Sequence, residues 1–216
     1  LEFDVTYPEK TMELKNAIEG RTSVRSFLPD PVPLSDIREM VRLAGLAPSV
    51  NNFQPWSFIL ITNRLKINEM ASIVAGKLKE VPLKNSKLTG NIMNQVEWYS
   101  TFFKDAPAVL AVVLHPYESV WEKGVELSHE EINRMRNYPD IQSAGACIQT
   151  LLLAAVDLGY GACWLSGPMI ARHELEELLE ISAPQKLLSF VGIGKPSRDF
   201  MPKEKQNLAE NLKMFL

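Results

Sequence analysis

Apolar positions recur at helical spacing through much of this chain and close up into short unbroken runs at three places, as expected for helices laid over strands. PLSDIREMVRLAGLA, residues 33–47, carries Leu34, Ile37, Val41 and Ala44 on one helical face, with Ser35 placed to cap it. TMELKNAIEG, 11–20, reads as a shorter helix capped by Thr11, with Leu14 and Ile18 on one side and Gly20 as its stop. Residues 64–80 and about 92–104 pass the same test, separated by the polar VPLKNSKLTGN. SFILIT (57–62) and KLLSFVGIG (186–194), the latter ending in two glycines, are strand candidates, and PAVLAVVL (107–114) is a continuous apolar run, consistent with a buried strand.

In DIQSAGACIQTLLLAAVDLGYGACWLSG, Ile141, Gly145, Ile148, Leu152 and Ala155 keep helical spacing while the other faces are also small or apolar, so this is a helix buried nearly all round. HELEELLEI (173–181) is a surface helix, and the chain beyond residue 194 reads as a loop and a short tail helix. Residues 115–139 are polar and irregular in pattern, an excursion or lid. There is no internal repeat and no Gly/Ser-rich linker. Helical segments inserted between strands describe one α+β domain over residues 1–216 rather than two units.

A net charge of -3 argues against a nucleic-acid partner, whose binding rests on clustered positive charge. No apolar run reaches the length of a membrane span, and LEFDVTYPEK lacks the basic-then-apolar order of a signal peptide, so a cytoplasmic location is expected. The two cysteines, Cys147 and Cys163, sit in apolar surroundings without CxxC spacing and read as buried small side chains. The three histidines, His115, His129 and His173, lack metal-ligand spacing. GYGACW and GIGKPS fall short of the dinucleotide fingerprint, and no Walker sequence, nucleophile elbow or HExxH occurs. An enzyme built this way takes its reactivity from an organic cofactor.

Two stretches concentrate candidate chemistry. In RTSVR, an extended backbone puts Arg21, Ser23 and Arg25 on one face, an anion site if it is not simply a solvated surface strand. The two guanidiniums are then about 13 Å apart, which suits a long ligand with a phosphate at one end and a polar ring at the other. APSVNNFQPW, residues 47–56, packs hydrogen-bonding side chains between two prolines, and by itself reads as a polar loop with a packing tryptophan. Lys195, Arg198, Lys203 and Lys205 in KPSRDFMPKEK form a basic loop that is either a solvated charge run or a phosphate clasp.

Taken together, RTSVRSFLPDPVPLSDI, APSVNNFQPW, QSAGACIQTLLLAAVDLGYGACWLSG and GIGKP…PKEKQNL resemble, in order and spacing, the nitroreductase family of FMN-dependent oxidoreductases, from about residue 15 to residue 210. The resemblance implies a three-layer α/β/α fold with a central, mostly antiparallel sheet flanked by helices, assembled as an intertwined homodimer with FMN at the interface. It places Arg21 and Ser23 on the FMN phosphate and Arg25 at the flavin pyrimidine. Pro48, Ser49 and Asn52 would reach the FMN of the second subunit, and Ser143 would lie beside the flavin. The backbone at Ser166 and Gly167 would face flavin N5, and Lys203 and Lys205 would close on the phosphate, with lysine at 205 where the family often has arginine. NADH or NADPH would donate hydride, and a planar small molecule such as a nitroaromatic or quinone would accept the electrons. The alternatives are a specialised oxidase, dehalogenase or flavin-cleaving enzyme, and a non-catalytic flavin-binding sensor or storage protein. Trp98, Tyr99, Phe102 and Phe103 are read as core, with walls of a substrate pocket as the alternative.

Overall fold

A computed structural model describes residues 12–86, 88–200 and 212–214. Among these residues the elements run α1 (Leu14–Gly20), α2 (Leu34–Ala44), β1 (Trp56–Ile61), α3 (Arg64–Lys79), α4 (Thr89–Thr101), β2 (Ala108–Leu114), α5 (His129–Met135), α6 (Pro139–Asp157), β3 (Gly161–Leu165), α7 (Arg172–Leu178) and β4 (Lys186–Gly194). The strands form one sheet in the order β1-β2-β4-β3, and every neighbouring pair is antiparallel.

Both faces of this sheet are covered, which makes the architecture a three-layer α/β/α sandwich of the α+β class. Alternate residues of β2 and β4 feed two separate cores. Val109, Ala111, Val113, Leu187 and Phe190 meet Ile67, Met70 and Val74 of α3, together with Phe103 and Leu175. Ala108, Leu110, Val112, Val191 and Ile193 meet Ile37 and Met40 of α2 and Ile148 and Leu151 of α6. That is why PAVLAVVL has no polar alternation: neither face sees water.

Local chemistry sets the element ends. The Asn63 side chain accepts hydrogen bonds from the Leu65 and Lys66 amides and so starts α3. Pro139 occupies the first turn of α6, where its missing N–H costs nothing. Past Asp157, Gly159 adopts a φ of 75°, and the Tyr160 amide donates back to Ala155 O at 2.8 Å, which turns the chain into β3.

Two expectations change. Ser35 does not cap α2: Pro33 holds the N-cap position, and the Ser35 hydroxyl donates to Asp36 Oδ1 at 3.0 Å. The all-apolar stretch from residue 140 contains a strand as well as a helix, because the break at Gly159 releases Gly161–Leu165 to pair with β4. The excursion at 115–139 is ordered by two capping boxes, Ser119 with Glu122 and Ser128 with Glu131, the second opening α5. The Thr11 cap and the tail helix at its start lie outside the described residues.

RTSVR is extended, as its pattern suggests. Ser23 forms a parallel bridge with Ala162, and the Val24 amide donates to Ala162 O at 3.1 Å, so the segment lines the outer edge of β3. Phe27 then bridges Pro196, and Leu28 N donates to Lys195 O at 2.8 Å, which brings the start of the basic loop beside it. This contact needs glycine at 161, where a Cβ would lie 2.6 Å from Val24 Cγ2 and 2.7 Å from Val24 Cβ.

Replacing Gly161 with alanine therefore destabilises the protein by about 1–3 kcal/mol, the usual cost of overpacking. Combining it with Val24→Ala costs less than the sum of the two single changes. Urea unfolding of the two single variants and the double variant checks this, and strict additivity would show that the two residues do not collide.

Candidate functional site

The outer edge of β3 is where the chain leaves unsatisfied chemistry. A cleft of about 540 Å³ opens there, lined by Arg21, Ser23, Ile141, Gln149, Leu152, Trp164, Ser166, Leu188 and Ser189, within the size range of small-molecule sites. Its wall combines a cation, three hydroxyls and an amide with apolar side chains from α6, β3 and β4. Trp164 is 44% exposed although it lies on a strand, and it stands over Gly145, whose missing Cβ would come within 3.7 Å of the indole.

Arg25 follows Arg21 and Ser23 along the same edge but points to α4. Its guanidinium carbon lies 5.3 Å from the centroid of Tyr99 and 5.9 Å from that of Phe102, and its NH1 donates to Ser23 O at 3.3 Å. The Nε is buried without a hydrogen-bond partner. A buried guanidinium N–H lacking an acceptor is costly in the protein alone and is well disposed toward an electron-rich ligand edge. Beside this group, burial holds the Cys163 thiol above its ordinary pKa against the opposing pull of Arg25 and Ser23, so it stays a neutral core side chain. Burial alone pushes Cys147 to about 12.

The aromatic group of α4 divides. Phe102 and Phe103 are buried in the core, whereas Trp98 is 51% and Tyr99 43% exposed. Tyr99 thus serves as a support for Arg25 on one side and an open face on the other.

The 47–56 loop is separate from this cleft. Pro48 and Asn52 are exposed, and Ser49 is half-buried with its hydroxyl accepting from the Gln54 amide at 3.0 Å. Asn51, Asn52 and Gln54 all take positive φ, between 49° and 55°, a left-handed run that favours asparagine. None of Pro48, Ser49 or Asn52 lines the cleft of its own chain. Ser143 is not a cleft residue either: its hydroxyl accepts from Val50 N at 2.9 Å and donates to Pro139 O at 2.6 Å, which fastens the loop to the start of α6.

Ser166 lines the cleft at the end of β3. Gly167 next to it marks a close approach, since a Cβ there would lie 2.7 Å from Ser100 Oγ of α4. Lys203 and Lys205 lie outside the described residues.

The excursion carries a continuous polar chain. Tyr117, 3% exposed, donates from its hydroxyl to Asn133 Oδ1 at 2.7 Å. Asn133 Nδ2 reaches His129 Nε2 at 3.0 Å and Asp140 Oδ2 at 3.3 Å, and His129 Nδ1 reaches Glu122 Oε1 at 2.8 Å. The His129 contact and the Ser119 amide hold the Glu122 carboxyl below its ordinary pKa. Tyr117 also meets the Phe53 ring edge-on at 6.1 Å, tying the excursion to the 47–56 loop.

Sequence reasoning missed Gln149, Leu152, Trp164, Leu188 and Ser189 as cleft residues. The signal available for Ser189 was one hydroxyl inside an otherwise apolar strand. For the excursion it was the repeated S-x-x-E spacing at 119–122 and 128–131.

The profile described as "Nitroreductase family" matches residues 18–195. Among solved structures, a BluB-like flavoprotein from Clostridium difficile 630 superimposes with a TM-score of 0.82 at 28% identity, covering 95% of this chain and 100% of that one. The FMN-dependent nitroreductase NfnB from Mycobacterium smegmatis, solved in complex with NADPH, shares the fold with a TM-score of 0.71 at 20% identity, covering 94% and 97%. Among curated relatives, the iodotyrosine deiodinase of Nematostella vectensis is 25% identical over 197 residues, which is 88% of this chain and 70% of the relative. The chain spans 58% of the length of the Danio rerio deiodinase, so whole-protein properties of such relatives do not transfer directly.

Removing the Ser143 hydroxyl leaves the Val50 amide without its acceptor. Ser143→Ala is expected to cost about 1–2 kcal/mol and to speed amide hydrogen exchange across residues 50–53, with little change at β2 or β4. Unchanged exchange in that loop would contradict the anchoring role. In the folded protein neither buried cysteine is expected to react with a thiol reagent near neutral pH, and both are expected to react after denaturation, which a thiol titration checks. Because the Cys147 pKa is raised on folding, its contribution is intact below the unfolded thiol pKa and is lost as pH rises toward about 12, a loss of stability that alkaline unfolding curves would register.

Proposed function

The chain belongs to the nitroreductase family, and on that premise we propose that it is an FMN-dependent oxidoreductase that takes hydride from NADH or NADPH and passes two electrons to a planar acceptor such as a nitroaromatic or quinone. The observation that carries this reading is the edge of β3, where Arg21, Ser23 and Ser166 share one cleft while Arg25 holds a buried Nε with no acceptor. FMN, held there by these residues, would supply the redox chemistry, a two-electron exchange in which donor plus acceptor plus one proton become oxidised donor and reduced acceptor.

The chain's own part is to bind, orient and polarise. In this reading Arg21 and Ser23 grip the phosphate by charge-assisted and neutral hydrogen bonds, with Lys203 and Lys205 completing the clasp. Arg25, pressed between Tyr99, Phe102 and the strand edge, sets a fixed positive charge at the pyrimidine end and favours the anionic reduced ring. The backbone at Ser166 and Gly167, at the end of β3, would face the reacting edge of the flavin ring. Pro48, Ser49 and Asn52, exposed in one subunit and away from its cleft, reach the cofactor of the second subunit in an intertwined homodimer.

A second reading, reductive dehalogenation of a halogenated phenol, is favoured by the deiodinase likeness over 88% of the chain. Release of iodide from an iodinated tyrosine under reducing conditions distinguishes it from simple nitro or quinone reduction.

The test begins with an absorption spectrum of the purified chain and an anaerobic titration with NADH and NADPH. A flavin that bleaches with either donor and recovers on addition of a quinone supports the proposal; protein that fails to take up added FMN refutes it. Arg21→Ala is expected to weaken FMN binding about tenfold to a hundredfold, the range for a lost charge-assisted contact, with little effect on folding.

A further inference from the structure

The wall of the cleft contains a hydroxyl that the fold itself does not use. Ser189 lies within β4, is 2% exposed, and its Oγ has no hydrogen-bond partner in the protein. Its register partner on β2 is Val112, and its chain neighbours are Leu188 and Phe190, so nothing beside it in the sheet offers a side-chain acceptor. Four other buried polar side chains have partners: Ser143 in Val50 and Pro139, Asn133 in Tyr117 and Asp140, Thr101 in the Glu97 carbonyl, and Ser119 in the Trp121 amide and Arg136. A buried hydroxyl left alone weakens the fold, and alanine would fill the same place in the strand without that cost. Ser189 also lines the cleft shared by Arg21, Ser23 and Ser166.

Strand register locates it along that cleft. Leu165 of β3 pairs with Phe190, so Ser189 stands level with Ser166, one step beyond the end of β3. Ser23 pairs with Ala162, four residues back, which is about 13 Å at the rise of a strand. The arginine and serine of the anion site therefore mark one end of the cleft, and the hydroxyls of Ser166 and Ser189 mark the other.

We infer that Ser189 is a binding residue for the ring end of the cofactor, its hydroxyl meeting the polar edge of the flavin. The inference rests on the FMN reading above. A hydroxyl suits that edge because it both donates and accepts: it can serve the ring nitrogens and carbonyls of the oxidised flavin and the N–H of the reduced one by rotating a single proton.

The experiment compares the full chain with Ser189→Ala and Ser189→Thr, each stripped of flavin. FMN affinity is read by quenching of flavin fluorescence, and thermal unfolding is read without ligand. Ser189→Ala is expected to bind FMN about fivefold to tenfold more weakly, the effect of one neutral hydrogen bond, while its flavin-free form melts at or above the parent temperature. Ser189→Thr keeps a hydroxyl on a strand-compatible side chain and is expected to stay within about twofold of the parent. Parent-like affinity in Ser189→Ala overturns the inference and leaves the FMN reading standing. So does a lower melting temperature of the flavin-free Ser189→Ala protein, which would assign the hydroxyl to the fold. A parent chain that does not bind FMN overturns both.

Discussion

Two strands buried on both faces, Ala108–Leu114 and Lys186–Gly194, set the terms for the rest of the molecule. A strand that can show no side chain to water needs a helical layer on each side, and the chain supplies α3 with α7 on one face and α2 with α6 on the other. With the centre of the sheet committed to packing, chemistry is confined to its margins. The outer edge of β3 is the margin that RTSVR occupies, and the fit of Val24 against Gly161 decides where Arg21, Ser23 and Arg25 stand.

That arrangement explains how much was legible beforehand. The runs at 57–62, 107–114 and 186–194 were legible as short, mostly apolar stretches, most clearly at 107–114, where both faces are buried and no polar residue interrupts. The extended face of RTSVR was readable from its alternation, and the structure puts Arg21 and Ser23 in one cleft while Arg25 turns to the rings of α4. The strand at Gly161–Leu165 was hidden, since five residues after an equally apolar helix carry no period of their own and only the glycines hint at the turn. The short helices within the excursion were not read from its polar pattern, because Ser119, Glu122, Ser128 and Glu131 are spent on helix caps. The bond between the Ser143 hydroxyl and the Val50 amide spans 93 residues of sequence, and no local pattern reveals it.

The 47–56 loop shows the limit of reading one chain. Its left-handed residues at 51, 52 and 54 are local strain, and Ser49 and Ser143 use hydrogen bonds to hold it. Phe53 adds an aromatic contact to Tyr117, so the loop is fixed from both the α6 side and the excursion side. A loop braced this firmly, with Pro48 and Asn52 left exposed and the cleft of its own chain elsewhere, is presented rather than merely tolerated. The same bracing connects the excursion mechanically to whatever the loop meets.

The distribution of unsatisfied groups supplies the last step. In the excursion, buried Tyr117 and Asn133 bond to each other, and the chain continues outward through half-buried His129 to exposed Glu122. Among the described residues, the buried side-chain atoms without a partner are Arg25 Nε and Ser189 Oγ, one in the RTSVR segment and one in the cleft wall. Each such group costs on the order of 1–3 kcal/mol in the protein alone. A ligand that meets both returns that free energy on binding, and by linkage the folded state gains stability in proportion to the logarithm of ligand concentration over its dissociation constant. Stability given up where a cleft opens is the pattern expected of a pre-shaped ligand site, and it distinguishes this edge of the sheet among the described residues.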